Sequence, residues 1–434
     1  MPAKKEDRLQ IIPLGGVGEI GKNMMVLRYG NDMMVVDAGL KFPEEEMLGI
    51  DFVIPNISYL LEHKDKVRGI VLTHGHEDHI GGLPYVLQQI QIPIYGSRLT
   101  LGLLEGKLKE HNITAQLNVV TAGQSVKLGN SFSVEFIHSN HSIPDSFCMA
   151  ITTPAGVLVH TGDFKLDQTP VSGPVTDLQR LADYGRRGVL ALIVDSTNAE
   201  REGYTKSERL VGRTFDEIFR THHQNRIIIA SFASNIHRIQ QVFDIAVKYK
   251  RRVTVVGRSM VNNIAIASKL GYLSFPEKTY VDIDEIAKIP DNELVVISTG
   301  SQGEPLSGLT RMAMQSHHKI NIGYGDVVIM SSTPIPGNEK LVNRVINGLY
   351  RCGAKVIHQG MMDVHVSGHA SQEELKLMIN LVKPKFLVPF HGEYRHQAFL
   401  AKVGEQVGIP RENSIIMDIG DVIEIGDDLK KVGK

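Results

Sequence analysis

Four side chains able to hold a metal ion, His74, His76, Asp78 and His79, fall within six residues of one another in Thr73-His74-Gly75-His76-Glu77-Asp78-His79-Ile80-Gly81-Gly82. Neutral imidazole and carboxylate are the donors that zinc and similar divalent ions take. A lone histidine there would read as an ordinary polar loop residue. H-x-H-x-D-H before two glycines, directly after the buried-strand pattern of residues 68–73, instead lets one loop aim several side chains at a point. One such cluster cannot complete two coordination shells, so more His and Asp are expected at the ends of later strands. His141 follows a strand at 134–137, Asp163 one at 156–159 and His391 one at 385–390. Open α/β sheets place their sites at such strand ends. Two ions about 3.5–4 Å apart can share a hydroxide and stabilise both the entering and the leaving oxygen of an in-line displacement. That suits phosphodiester hydrolysis, and would also serve lactam, thioester or lactone hydrolysis.

The elements that must position these residues are legible as two rhythms. Residues 9–40 read as short strands (10–14, 24–28, 33–37) with Gly-rich turns, and further strands are expected at 93–95, 134–137, 147–153, 156–161 and 189–195. From about Tyr204 to Gly360 the pattern changes to regular strand-helix alternation, with strands at 226–231, 252–257, 293–299 and 326–331 and helices such as 236–249 and 341–351. Such alternation implies an open parallel sheet with helices on both faces. Thr205-Lys206-Ser207-Glu208 has capping-box spacing and is expected to open a helix to about Thr221; Ser371 with Glu374 is a second capping box. A helix at 83–89 and a terminal strand pair around 415–425 complete the expectation. The fold class is α/β, with domains at 1–203, 204–360 (an insertion) and 361–434.

Three further signatures lie between Asp195 and His391. Asp195 ends a buried strand in Val194-Asp195-Ser196-Thr197. In His365-Val366-Ser367-Gly368-His369, Ser367 offers a hydroxyl, Gly368 permits close backbone approach, and two imidazoles can donate to phosphate or to a leaving oxygen. Ser231-Phe232-Ala233-Ser234-Asn235 sits between a strand and a helix, where hydroxyls and helix-start amides can bind an anion; an N-cap role for Ser234 fits equally well.

These residues resemble the metallo-β-lactamase superfamily through His74, His76, Asp78 and His79. The motifs around Asp195, at 365–369 and in Pro389-Phe390-His391-Gly392-Glu393 resemble those of its β-CASP nucleases. The resemblance implies an αββα sandwich carrying an inserted β-CASP domain. It also implies a ligand division: His74, His76 and His141 on one ion, Asp78, His79 and His391 on the other, and Asp163 bridging. Asp78, Asp195 and His369 would be catalytic, with His369 oriented by Asp195 and protonating the 3′-oxygen leaving group. Ser231, Ser234, His365, Ser367 and Gly368 would bind a nucleotide phosphate, with Arg258 and Ser331 as weaker candidates. Over nearly the whole chain, including residues 14–23, 72–82, 162–165, 332–339 and 364–374, the sequence is similar to the bacterial ribonuclease J family. That implies 5′-to-3′ exonuclease action on 5′-monophosphorylated RNA plus endonuclease activity, in rRNA processing and mRNA decay. It implies zinc, or manganese as the alternative. A C-terminal domain beyond Lys434 would support a homodimer, a tetramer or a hetero-oligomer with a paralogue.

Composition bounds the rest. With 434 residues, 42% hydrophobic, the chain can bury real cores. Its net charge of -1 gives no whole-molecule attraction to nucleic acid or anionic lipid, so a phosphate-binding surface must be built locally. No stretch approaches the roughly 18 apolar residues of a membrane span, and the charged start lacks a secretory h-region, so a cytoplasmic location is expected. Cys148 and Cys352 are isolated, which excludes cysteine-ligated zinc, and with no Trp any base stacking relies on Phe, Tyr or apolar surfaces. A small-molecule hydrolase and a non-catalytic RNA-binding subunit are the competing readings. The domain-sized insert counts against the first and the complete ligand set against the second.

Overall fold

The computed structural model describes residues 8–44 and 47–434, and the charged start at 1–7 lies outside them. Two compact units form. One comprises the chain through Gln168 with Pro174–Thr205 and Gly368–Lys434; the other comprises Thr169–Gly173 and Lys206–Ser367.

The first unit begins with β1 (Leu9–Gly15), β2 (Met24–Tyr29), β3 (Asp32–Val36), β4 (Val67–Val71), β5 (Ile94–Gly96) and β6 (Leu117–Val119). There follow β7 (Ser125–Leu128), β8 (Phe132–Ser139), β9 (Ser146–Thr153), β10 (Gly156–His160) and β11 (Val189–Asp195). The second unit supplies β12 (Ile227–Ala230), β13 (Arg252–Val256), β14 (Leu294–Ser298), β15 (Val327–Met330) and β16 (Lys355–His358). The chain then returns through β17 (Pro384–Phe390), β18 (Val422–Ile425) and β19 (Leu429–Gly433).

In the first unit an eight-stranded sheet, β19-β18-β1-β2-β3-β4-β5-β6, faces a six-stranded sheet, β17-β11-β10-β9-β8-β7. Strand alternation makes the sandwich. Leu9, Ile11, Met25, Leu27 and Met34 of one sheet pack against Phe132, Val134, Phe136, Met149 and Ile151 of the other. The opposite face of the six-stranded sheet (Cys148, Val159, Leu192, Val194) is buried under Leu181, Leu375, Met378, Leu400 and Val403. These come from the helices Leu178–Arg187, Gln372–Val382 and Tyr394–Gln406. The second unit is a five-stranded parallel sheet, β13-β14-β12-β15-β16, with a core that includes Ile228, Val296, Val328 and Val356.

Local chemistry departs from the sequence expectation in three places. The helix Arg209–Thr221 has Glu208 at its N-cap with no side-chain cap, because the expected capping residues have other partners. Thr205 Oγ1 donates to the His369 carbonyl at 2.7 Å, and Ser207 Oγ to that of Thr169 at 3.1 Å. Ser234 does not cap the next helix; Asn235 does, its side chain accepting from Arg238 N. The terminal strand pair lies at 422–433 rather than 415–425, since Ile415 pairs alone with Leu387 and the antiparallel ladder starts only at Val422.

The second capping box forms as expected at Ser371, and its glutamate does more than cap. Glu374, fully buried, accepts from Leu166 N at 2.7 Å, Thr205 N at 2.7 Å and Ser371 N at 2.8 Å. It gathers the segments where the chain leaves and re-enters the first unit. Glu374→Ala strands buried donors, and loss of about 3 kcal/mol is expected, read by urea denaturation. A loss under about 0.5 kcal/mol would show that water replaces the carboxylate.

Candidate metal centre

All seven sequence-derived ligands lie in the first unit, and their donor atoms converge. His74, His76 and His141 form one group and Asp78, His79, Asp163 and His391 a second, the donor atoms of each lying within 4.8 Å of one another. The turns after β4, β8, β10 and β17 deliver them. Short loops require close backbone approach: a Cβ on Gly39 would lie 1.6 Å from the Asp78 carbonyl oxygen, and one on Gly368 would lie 2.6 Å from His141 Cε1. Both glycines are therefore fixed by the packing of the ligand loops.

His76 Nδ1 lies 3.1 Å from both His74 Nε2 and His141 Nε2. On the other side, His79 Nε2 is 3.1 Å from Asp163 Oδ2, and His391 Nε2 is 3.2 Å from Asp78 Oδ2. Asp163 Oδ2 spans the two groups, at 3.7 Å from His74 Nε2, 3.9 Å from His141 Nε2 and 3.8 Å from His391 Nε2. Its other oxygen, Oδ1, is buried with no protein partner among the described residues.

The outward ring nitrogens set the tautomers. Thr73 Oγ1 donates to Asp37 Oδ2 at 2.7 Å, so it accepts from His74 Nδ1–H at 3.0 Å. The His141 Nδ1–H can only donate to the Gly368 carbonyl, at 2.7 Å. His79 Nδ1 faces Asp37 Oδ2 at 2.7 Å, and His391 Nδ1 faces Thr197 Oγ1 at 2.6 Å. His74 and His141 thus both present bare Nε2 lone pairs to His76 Nδ1, which carries at most one proton for the two. Lone pairs facing one another without enough protons repel, and a cation relieves this. The donor set, nitrogen with carboxylate oxygen and outer hydrogen bonds on the imidazoles, fits zinc or a similar divalent ion.

Electrostatics agree. Burial, reinforced by neighbouring imidazoles, holds His74 and His141 well below the ordinary histidine value, and burial takes His76 down to about 4. Burial opposes ionisation of Asp78 and Asp163, but the facing imidazoles outweigh it and both carboxyls are held low. Burial likewise opposes charge on His79 and His391. There the carboxylates win: His79, facing Asp163, Asp78 and Asp37, is raised well above its usual value, and His391, facing Asp163, Asp195 and Asp78, rises to about 10. The carboxylates therefore draw positive charge into the site.

Beside this cluster, His369 Nδ1 lies 2.7 Å from Asp195 Oδ2 and 4.0 Å from Asp163 Oδ2. Asp195 Oδ1 accepts from Thr197 N at 2.9 Å and Oγ1 at 2.8 Å. Of the expected phosphate-binding set, Ser231, Ser234, His365 and Ser367 lie in the second unit and Gly368 in the first. Ser231 is buried and its hydroxyl has no protein partner among the described residues. Ser331 turns its hydroxyl onto the Val364 carbonyl at 2.6 Å, and Arg258 is exposed at a helix start.

Sequence reading missed Asp37, Thr73 and Thr197, which orient the imidazoles. Asp37 ends an expected strand, outside the metal-binding motif, and only its position beside Thr73 and His79 reveals its role. Asp37 and His391 both occupy left-handed backbone, at φ 59° and 52°. Non-glycine residues held there store strain of about 1–3 kcal/mol and concentrate at functional sites.

Residues 17–199 match the model of the metallo-beta-lactamase superfamily, 224–349 that of the ribonuclease J beta-CASP domain, and 354–415 that of the Zn-dependent metallo-hydrolase RNA specificity domain. A crystal structure of a protein of unknown function from Enterococcus faecalis superposes with TM-score 0.66 at 15% identity, over 96% of this chain and all of that one, which shows the shared fold. Fold and site together define a metallo-β-lactamase sandwich carrying a β-CASP insertion.

Ribonuclease J of Thermus thermophilus is 47% identical over 99% of this chain and 76% of its own length. That of Helicobacter pylori is 47% identical over 98% of this chain, which spans 62% of the relative's length. The chain belongs to the ribonuclease J family.

A ligating His391 must lose a proton held up to about 10, so metal affinity should rise from pH 6.5 to 8.5 with net proton release, read by calorimetry in buffers of different ionisation enthalpy. PH-independent affinity would contradict the assignment of His391. Asp37→Asn should weaken metal binding about 10- to 100-fold in chelator competition while the fold persists.

Proposed function

We propose that this chain is a cytoplasmic, metal-dependent ribonuclease that removes nucleotides 5′-to-3′ from 5′-monophosphorylated RNA and also cuts internally, acting in RNA maturation and mRNA decay. The observation that carries the reading is Asp163 Oδ2 lying within 4 Å of imidazoles from both ligand groups and at 4.0 Å from His369 Nδ1. Such a carboxylate can bridge two ions beside a proton donor. Relatives of the same family are named ribonuclease J, and the match to an RNA specificity domain supports RNA over a small ester or lactam.

Two divalent ions, zinc first and manganese as the alternative, would be held by His74, His76 and His141 on one side and Asp78, His79 and His391 on the other, with Asp163 between. When bound they would supply Lewis-acid charge to phosphate oxygens and make water a stronger nucleophile at neutral pH. The protein's own groups do the rest. Asp195 accepts the Nδ1–H of His369 and fixes the ring, leaving Nε2 to protonate the departing 3′-oxygen. Burial opposes the Asp195 charge, but His369 and His391 hold its carboxyl well below the usual range, so it orients the ring as an anion. Ser231, Ser234, His365, Ser367 and Gly368 bind the 5′ phosphate and so set the end preference. A homodimer, a tetramer or a hetero-oligomer with a paralogue is proposed as the assembly. Among the described residues no helix is long and apolar enough to cross a membrane.

His76→Ala should abolish cleavage of end-labelled 5′-monophosphorylated RNA while far-UV circular dichroism stays unchanged; near-normal turnover would remove the metal mechanism. Replacing Ser234 and Ser367 together should reduce the preference for 5′-monophosphate over 5′-hydroxyl RNA about tenfold, with unchanged preference placing the pocket elsewhere.

A further inference from the structure

Arg238 is the largest fully buried side chain of the second unit, and its guanidinium is committed on every side. Nε donates to Glu208 Oε1 at 2.9 Å and Nη2 to Glu208 Oε2 at 3.0 Å, a bidentate pair that neutralises both charges. Nη1 donates to the Ser331 carbonyl at 2.6 Å and lies 2.9 Å from His365 Nδ1. That last contact has only one possible polarity. A guanidinium has donors and no acceptor, and it does not deprotonate in proteins. The hydrogen in the contact therefore belongs to arginine, His365 Nδ1 is a lone pair, and the ring proton resides on Nε2. An imidazolium at this position would set two N–H groups against each other beside a guanidinium.

We infer that Arg238 is a positioning residue: by donating to Nδ1 it fixes His365 as the Nε2–H tautomer, so that this imidazole meets a substrate 5′ phosphate as a hydrogen-bond donor. The inference rests on the phosphate-pocket reading above and adds what makes His365 suited to it. A neutral imidazole is otherwise split between two tautomers, one of which would turn a lone pair toward an anion. Arg238 removes that choice.

The surroundings hold Arg238 in register. Asn235 caps the helix Ile236–Lys248 by accepting from the Arg238 amide at 3.1 Å, and the helix follows β12 through the turn that carries Ser231. Ser331, which accepts from Nη1, donates its hydroxyl to Val364, the residue before His365. The ends of β12 and β15 and the segment bearing His365 are thus joined through one side chain. Lysine could donate to Nδ1, but could not also grip both oxygens of Glu208.

The test reads the proton directly. In protein labelled with 15N-histidine, a long-range 1H–15N spectrum at pH 7.5, with the His365 signal identified by its loss in His365→Gln, should show Nε2 protonated and Nδ1 bare. A protonated Nδ1, or both nitrogens protonated, overturns the inference without needing any Arg238 variant to fold. Arg238→Met should convert the signal to a tautomer mixture. It should also lower the ratio of kcat/KM for 5′-monophosphate over 5′-hydroxyl RNA oligonucleotides about tenfold, through KM with kcat little changed. A folded Arg238→Met with a mixed tautomer and an unaltered ratio would instead overturn the phosphate-pocket reading at His365, leaving the tautomer assignment intact.

Discussion

A carboxylate with almost no water, encircled by imidazoles, is the constraint around which the first unit is built. Asp163 is 2% exposed, and the ring nitrogens of His74, His79, His141 and His391 all lie within 4 Å of its Oδ2. An isolated buried anion is costly to keep ionised. Here the charge is retained because it is shared among donors that arrive from several strand ends, and the fold's task is to bring those ends to one place.

Holding them there takes a second layer of contacts. Asp37 accepts from Thr73 N, Thr73 Oγ1 and His79 Nδ1, so one carboxylate steers two imidazoles from the same loop. Thr197 links Asp195 to His391 through its hydroxyl. Gly368, chosen for its phosphate-binding potential, contributes its carbonyl to His141 and has no room for a side chain. The second unit repeats the strategy with a buried ion pair in place of an ionised cluster, Arg238 with Glu208.

Much of this was legible in the sequence because the signals are local. H-x-H-x-D-H is compressed into one loop, and the strand ends carrying His141, Asp163 and His391 announce themselves by hydrophobic runs. The two sheets of the sandwich were visible as strands, but not their pairing order, since β1 joins β18 across more than 400 residues. Asp37 and Thr197 were invisible as site residues because their significance is a distance to another loop. The capping spacing at Thr205 misled for a related reason: its hydroxyl is taken by a carbonyl at His369, a partner 164 positions away. Arg238 likewise gave no sign, sitting in the first turn of a helix, where a charged residue ordinarily faces solvent.

The point where the chain departs for the insertion and the point where it returns are fastened side by side in the sandwich. Thr205 and Ser371 share a hydroxyl contact at 2.9 Å, and the backbone amides of both reach the Glu374 carboxylate. The chain therefore leaves and re-enters the first unit through one hydrogen-bonded junction. Because the first unit itself holds the two ends of the inserted segment together, the insert need not supply that closure.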